Sequence, residues 1–192
     1  TRSWCDWSSD VCSSDLDSLN NYYSNKLKLL RLKNLKRFKN FYFKKINLCN
    51  FSKTEKFLIN VNPDVVFHLA GQPGVLYSYK NPKSYKQNNI VATNNLIKIV
   101  NSSNIKKFIF SSSSSVYGDQ TKFPITENAK LNPKNYYAVT KKICEQKIRK
   151  SLKIPYIIFR IFTVYGSLGR PDMFFSIFDG ILSCGNPSCF QM

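Results

Sequence analysis

Lys107-Phe108-Ile109-Phe110-Ser111-Ser112-Ser113-Ser114-Ser115-Val116-Tyr117-Gly118 opens as a short apolar run and ends in five serines. Such a run reads as a buried parallel strand, with the serines at its C-terminal end. Val65-Val66-Phe67-His68-Leu69-Ala70 follows the turn Pro63-Asp64 and reads the same way. Phe41 to Ile46 has strand composition, and Ile154 to Phe162 is a further strand. Helical stretches alternate with them: Lys26 to Lys39 with one buried leucine stripe, Phe51 to Asn60, Tyr85 to Asn101 and Asn135 to Lys150. In the third of these, Ile90, Val91, Leu96, Ile97 and Val100 point inward. Alternating strand and helix predicts a parallel α/β sheet. Ligands of such sheets bind beyond the strand C-terminal ends. His68, Ser113 and Thr163 all fall at such ends, so three separate blocks converge on one crevice.

Tyr137-Ala138-Val139-Thr140-Lys141 supplies the chemistry. A Tyr and a Lys four apart share one helix face. The ammonium stabilises a phenolate, and a serine at a strand end can hydrogen-bond a substrate hydroxyl. Tyr137 alone would read as a half-buried aromatic on an amphipathic helix. The combination with Lys141 and the serine run favours proton transfer.

The chain has 192 residues and 43% hydrophobic content, enough for one domain with a core. No apolar run is long enough to span a bilayer and no signal peptide is evident, so a soluble, cytoplasmic protein without membrane contact is expected. The formal charge of +18 invites a nucleic-acid reading. Its densest segment, Lys26 to Lys39, reads instead as a solvated helix face. Abundant Lys, Asn, Ile, Phe and Tyr fit an AT-rich coding sequence, so no nucleic-acid partner is expected. A positive surface still favours a diphosphate ligand. Cys49 and Cys144 fall inside predicted elements as reduced thiols. Cys184 and Cys189 lack accompanying ligands, so no metal is expected.

The serine run and the Tyr137–Lys141 motif resemble the extended short-chain dehydrogenase/reductase family of nucleotide-sugar epimerases and dehydratases. The similarity is greatest to its UDP-glucuronate 4-epimerase branch. Leu16 to Tyr23 is similar to the end of the family's second strand, and His68 to Val75 to its fourth strand and loop. Asn81-Pro82, Tyr85 and Asn89 match the next helix. Arg160 to Gly166 and Gly169 to Met173 complete the set, and the resemblance covers roughly 16–182. It implies a Rossmann-like, doubly wound parallel sheet that binds NAD, a UDP-sugar substrate and a homodimer.

Carried over residue by residue, Ser113, Tyr137 and Lys141 are the catalytic set, with Ser115 the alternative serine. Asp17, Leu69, Ala70, Gly71, Asn89, Ser111, Tyr137 and Lys141 are the cofactor residues. A carboxylate at Asp17 favours NAD over NADP, because a 2′-phosphate would be repelled. Asn89 matches a family asparagine that supports the active-site strand and the cofactor loop. Ser115, Thr163 and Arg170 are the substrate-binding set, Arg170 offering a fork for a carboxylate or phosphate. His68, the lone histidine, matches a position in the cofactor strand. The chain departs from the family pattern at Asn47, where an aspartate is usual, at Leu76, where the glucuronate branch often has arginine, and at Ala92, which replaces a helix glycine.

The family's G-x-x-G-x-x-G loop does not occur in the sequence. The resemblance places that loop and the first strand before Thr1, and most of the sugar-binding domain after Met192. The chain thus reads as an internal fragment, expected to have little activity alone. Thr1 to Leu16 has neither helical nor strand periodicity, and Asp6 to Leu16 resembles a translated sequencing adapter. The resulting division is 1–16 a leader excluded from the fold, 17–166 a partial NAD-binding domain, and 167–192 the start of a substrate-binding region.

Family members share oxidation at C4 of the sugar. Relatives that dehydrate or decarboxylate usually carry an acidic residue immediately before the Val-Tyr-Gly or Leu-Tyr-Gly step. Ser114 and Ser115 fill that place, so C5 proton chemistry lacks its base. The remaining fate is rotation of the keto sugar and re-reduction, a 4-epimerisation. UDP-glucuronate is the expected substrate, with UDP-glucose or another nucleotide sugar as the alternative. An inactive binding module and a basic nucleic-acid-binding protein are the readings from other classes.

Overall fold

The computed structural model describes residues 13–164, 168–170 and 172. They fall into two compact units, one within Thr1–Lys45 and Thr163–Met192, the other Ile46–Phe162.

The first unit holds β1 (Ser13–Asp17), α1 (Asn25–Leu35) and β2 (Phe41–Lys45). The strands are parallel, in register from Ser13↔Phe41 to Asp17↔Lys45. Sequence patterning leaves Ser13–Leu16 outside the fold, whereas the structure makes them most of a strand. The ladder is built from backbone groups, which Ser and Asp carry like any other residue. The buried leucine stripe expected of α1 is also absent. Leu29 and Leu30 are exposed, and Lys28 is the buried side chain, its Nζ donating to the Asn20 carbonyl and, at 2.9 Å, to Asn20 Oδ1.

The second unit carries the three-stranded parallel sheet β3-β4-β5 (Val65–His68, Lys107–Ser113, Tyr156–Ile161). The register aligns Phe67 with Ile109 and Ile157, and Ser112 with Arg160. Side chains alternate across a strand, so Val66, Phe108, Phe110 and Ile158 share one face. That face packs with Leu58, Leu96, Ile99, Val100, Cys144 and Ile148 into the core. Each fully buried Phe there contributes about 2 kcal/mol. On the opposite face Phe67, Ile157, Phe159 and Ile161 are exposed.

The core helices are α2 (Phe51–Val61), α5 (Ala92–Asn101) and α6 (Tyr136–Ser151). Asparagines start two of them. Asn50 accepts from Lys53 N at 3.0 Å, and Asn135 from Ala138 N at 2.9 Å, each satisfying an orphan donor of the first turn. A short α3 (Val75–Lys80) is not foreshadowed by the pattern. The helix expected over 85–101 begins earlier, as α4 (Pro82–Tyr85), because Pro82 suits the first helical position. A π-helical turn, Lys86–Val91, then interrupts it before α5. Ala92, in the place of a family glycine, is buried.

Candidate active site

β4 and α6 bring the main candidates into the second unit. At the end of β4, Ser113 is buried and starts a tight turn (Ser114–Val116). Its Oγ accepts from Ser115 N and pairs with Ser115 Oγ, both at 3.2 Å. Tyr137 lies in the first turn of α6, half-buried, its ring edge-on to Tyr85 with centroids 6.2 Å apart. Tyr85 in turn donates to the carbonyls of Pro73 (2.7 Å) and Gly74 (2.5 Å), tying down the loop after β3.

Lys141 lies one turn beyond Tyr137 and is only 5% exposed. Its Nζ donates to the Ser111 carbonyl at 2.7 Å and stands 4.9 Å from the Phe110 ring centroid. Burial strips water from the ammonium and pushes its pKa down to about 8, while Cys144 and Glu145 act against that shift. An ammonium has three donors and this one spends one on Ser111, leaving two for ligand oxygens.

Asn89 sits in the π-helical turn and is buried. Its Oδ1 accepts from Gln72 N at 2.6 Å. Its Nδ2 donates to the Gln72 carbonyl at 3.3 Å and to Thr140 Oγ1 at 2.9 Å. Thr140 passes the chain on, donating to the Tyr137 carbonyl at 2.7 Å. One amide thus connects the loop after β3 to the helix of Tyr137 and Lys141. π-turns recur at functional sites because they re-aim side chains. Gly71 closes this corner: a Cβ there would lie 2.9 Å from Asn89 Oδ1 and 3.6 Å from Lys141 Nζ. Leu69, Ala70 and Gly71 are exposed, leaving the strand end open.

His68 is buried between Phe108 and Phe110, its Nε2 2.8 Å from Thr93 Oγ1. Burial, and secondly the charge of Lys141, push its pKa down to about 3, so it is neutral. Cys144 is buried and free, as expected of a core thiol, whereas Cys49 is free but half-buried in the turn before α2 rather than inside an element.

The other candidates belong to the first unit. Asp17 is exposed and accepts from Leu19 N at 2.6 Å. Thr163 is exposed. Arg170 donates from Nε to Asp172 Oδ1 at 3.0 Å and bonds Oδ2 through Nη2, and Tyr22 OH donates to the same Oδ2 at 3.1 Å. The guanidinium of Arg170 is therefore engaged by Asp172 in this structure. Tyr165 and Gly166 of the resemblance lie outside the described residues, as do the cysteines of both ends.

Sequence reading missed a buried ion pair. Glu145 is 1% exposed and lies one turn after Lys141. It accepts from Ser112 Oγ at 2.5 Å and from Arg160 Nε and Nη2 at 3.1 and 2.9 Å. A lone arginine inside an apolar strand requires a partner, and that was the available signal. Among the described residues no cluster could hold a metal, and no helix is long and apolar enough to cross a membrane.

The profile of the NAD dependent epimerase/dehydratase family matches residues 16–178. Protein CapI of Staphylococcus aureus is 41% identical over 82% of the chain and 48% of its own length. UDP-glucuronate 4-epimerase of Thermodesulfobacterium geofontis is 37% identical over 82% of the chain and 50% of its own length. UDP-glucuronic acid 4-epimerase of Bacillus cereus, solved with UDP-glucuronic acid and NAD, superposes with a TM-score of 0.82 at 33% identity. That match covers 88% of this chain and 54% of the solved one. The chain thus spans about half the length of these relatives.

Proposed function

This chain belongs to the NAD dependent epimerase/dehydratase family, and from that premise we propose that the whole protein carrying it is an NAD-dependent UDP-glucuronate 4-epimerase. The observation that carries the reading is the buried Lys141 ammonium, one turn from Tyr137 and bonded to Ser111 at the end of β4. The residues present fit a dinucleotide. The strand end at 69–71 is open, Gly71 keeps a Cβ out of the space beside Lys141, and Lys141 retains two donors suited to a ribose diol. Leu69, Ala70, Gly71, Ser111 and Lys141 would hold it, with Asp17 on the adenosine ribose. NAD bound there would supply the hydride acceptor and donor for C4 of the sugar.

The chain's own residues handle the proton. Tyr137, as phenolate, takes the proton from the 4-hydroxyl and later gives it back. Lys141 stabilises the phenolate as a neighbouring cation. Ser113, or Ser115 beside it, hydrogen-bonds the same hydroxyl and keeps it oriented. Glu145, the buried carboxylate nearest in sequence to this set, is saturated by Ser112 and Arg160 and is not free to act at C5. That supports epimerisation over dehydration or decarboxylation. Thr163 and Arg170 are assigned to the substrate, so Arg170 must exchange Asp172 for a sugar carboxylate or phosphate. As part of the same proposal the whole protein is a cytoplasmic homodimer.

The test is to offer the whole protein UDP-glucuronate and UDP-glucose in competition and follow the C4 epimers by NMR. A carboxylate-binding site should reject the neutral hexose, whose partner donors would be left unpaired. Faster conversion of UDP-glucose overturns the substrate, and carbon dioxide release with a UDP-pentose product moves the protein to the decarboxylases.

A further inference from the structure

Ser112 and Arg160 are cross-strand partners of β4 and β5, on the sheet face that α6 covers. Both deliver their side chains to Glu145. Oε1 takes Ser112 Oγ at 2.5 Å and Arg160 Nε at 3.1 Å, and Oε2 takes Arg160 Nη2 at 2.9 Å. The other edge of the guanidinium runs on. Nη1 donates to Tyr117 OH at 3.2 Å and to the Glu127 carbonyl at 2.7 Å, and the guanidinium carbon stands 4.9 Å from the Tyr117 ring centroid. The network therefore grips the residue before Ser113 and the residue after Val116. Between these anchors lies the whole serine turn, whose own bonds are the two 3.2 Å contacts of Ser113 and Ser115 and the backbone bonds from Tyr117 N to the Ser114 carbonyl (3.0 Å) and from Gly118 N to the Ser115 carbonyl (3.3 Å).

We propose that Glu145, acting with Arg160, is a positioning residue that clamps both ends of the serine turn and so fixes where its hydroxyls stand relative to Tyr137 and Lys141. The proposal rests on the functional reading above for the role of those hydroxyls. Glu145, Lys141 and Tyr137 succeed one another at four-residue intervals on α6, so they share one face. Movement of Ser112 relative to Glu145 thus moves the turn relative to the acid–base pair. Glu145 is not a base here, because both oxygens are already engaged. An ion pair serving stability alone could be exchanged for apolar residues without loss. A clamp could not.

The paired variant Glu145→Met/Arg160→Met separates these roles, because it removes both charges at similar volume and strands neither. In the whole protein it is measured for unfolding midpoint, kcat and KM, and amide hydrogen exchange over 113–117. The expected result is a folded protein whose kcat falls about 100-fold with KM little changed, since displacement of reacting groups by about 1 Å costs that much. Exchange over 113–117 rises at least about tenfold. Ser112→Ala leaves the ion pair intact and keeps the fold, and is expected to lower kcat about fivefold by the loss of one anchor. Parent-like kcat in both variants, unchanged exchange, or a loss confined to KM overturns the clamp. If the parent epimerises no sugar nucleotide, the functional reading falls, while the exchange measurement still judges the clamp.

Discussion

Lys141 and Glu145, one helical turn apart on α6, grip successive residues of β4: Lys141 Nζ holds the Ser111 carbonyl at 2.7 Å and Glu145 holds Ser112 Oγ at 2.5 Å. The two contacts differ in energetic character. Glu145 is paired with Arg160, whereas among the described residues Lys141 has no carboxylate within ion-pair distance. Its charge is therefore buried at a cost in stability.

That cost is measurable as a pH dependence. The folded pKa of Lys141 is about 8, below its ordinary 10.5. Between those values the unfolded chain holds more protons, so stability rises with pH across that window. Below pH 8 both states are protonated and the full penalty remains, about 3 kcal/mol at 1.36 kcal/mol per unit. Lys141→Met should therefore unfold at higher urea than the parent at pH 7, with the advantage gone near pH 10.5. Its turnover and NAD occupancy should both fall. Urea titrations at pH 7 and 10 decide it, and a variant less stable than the parent at pH 7 refutes it.

Tyr137→Phe should reduce turnover at least about 100-fold, the usual size of a lost general base, while NAD stays bound. The ring's edge-on contact with Tyr85 survives the change, so the packing of the ring is kept. Turnover and cofactor content of the purified variant are the measurements. Near-normal turnover would remove Tyr137 from the mechanism.

The sheet was legible from two short apolar runs, although only Phe108 to Phe110 is buried on both faces, since Val65 and Phe67 are exposed. Phe108 to Phe110 and Val65 to His68 are continuous apolar runs, and such runs have few other uses in a chain of this size. Tyr137 and Lys141 were legible because their relation is local, four residues along one helix. Glu145 with Arg160 was not, because the pair is brought together by sheet and helix packing rather than by spacing. The π-turn around Asn89 was hidden because one extra residue scarcely disturbs a helical pattern. Ser13–Asp17 failed for the opposite reason: its strand owes nothing to side-chain periodicity. The exposed leucines of α1 show that composition suited to a buried stripe does not ensure one.

His68 should make the fold acid-sensitive. Its folded pKa of about 3 lies below the ordinary 6.5. As pH falls from 6.5 towards 3, the unfolded chain takes up a proton that the folded chain refuses. Stability should then drop by about 1.36 kcal/mol per pH unit for this one group. His68→Gln, which can still reach Thr93, should show a slope shallower by one proton between pH 6 and 4. Equal slopes for parent and variant in urea titrations would assign the acid loss to other groups.

Gly71 and Asn89 should be energetically coupled. A methyl at Gly71 would stand 2.9 Å from Asn89 Oδ1, closer than a real Cβ tolerates, so that oxygen must move. Moving it breaks the 2.6 Å bond from Gln72 N, a buried donor with no alternative partner among the described residues. Gly71→Ala should therefore cost roughly 1–2 kcal/mol, the price of an unsatisfied buried N–H, less a few tenths regained from the stiffer unfolded chain. Asn89→Ala loses the same bond together with those to the Gln72 carbonyl and Thr140, and should cost about 3 kcal/mol. In the double variant the methyl meets no amide, and the Gln72 bond is already gone. The double should then be less destabilised than the sum of the singles by at least about 1 kcal/mol. Urea unfolding of the four proteins gives the coupling directly. Strict additivity would mean that Gly71 yields by backbone movement, and that Asn89 is not what holds the loop after β3 against α6.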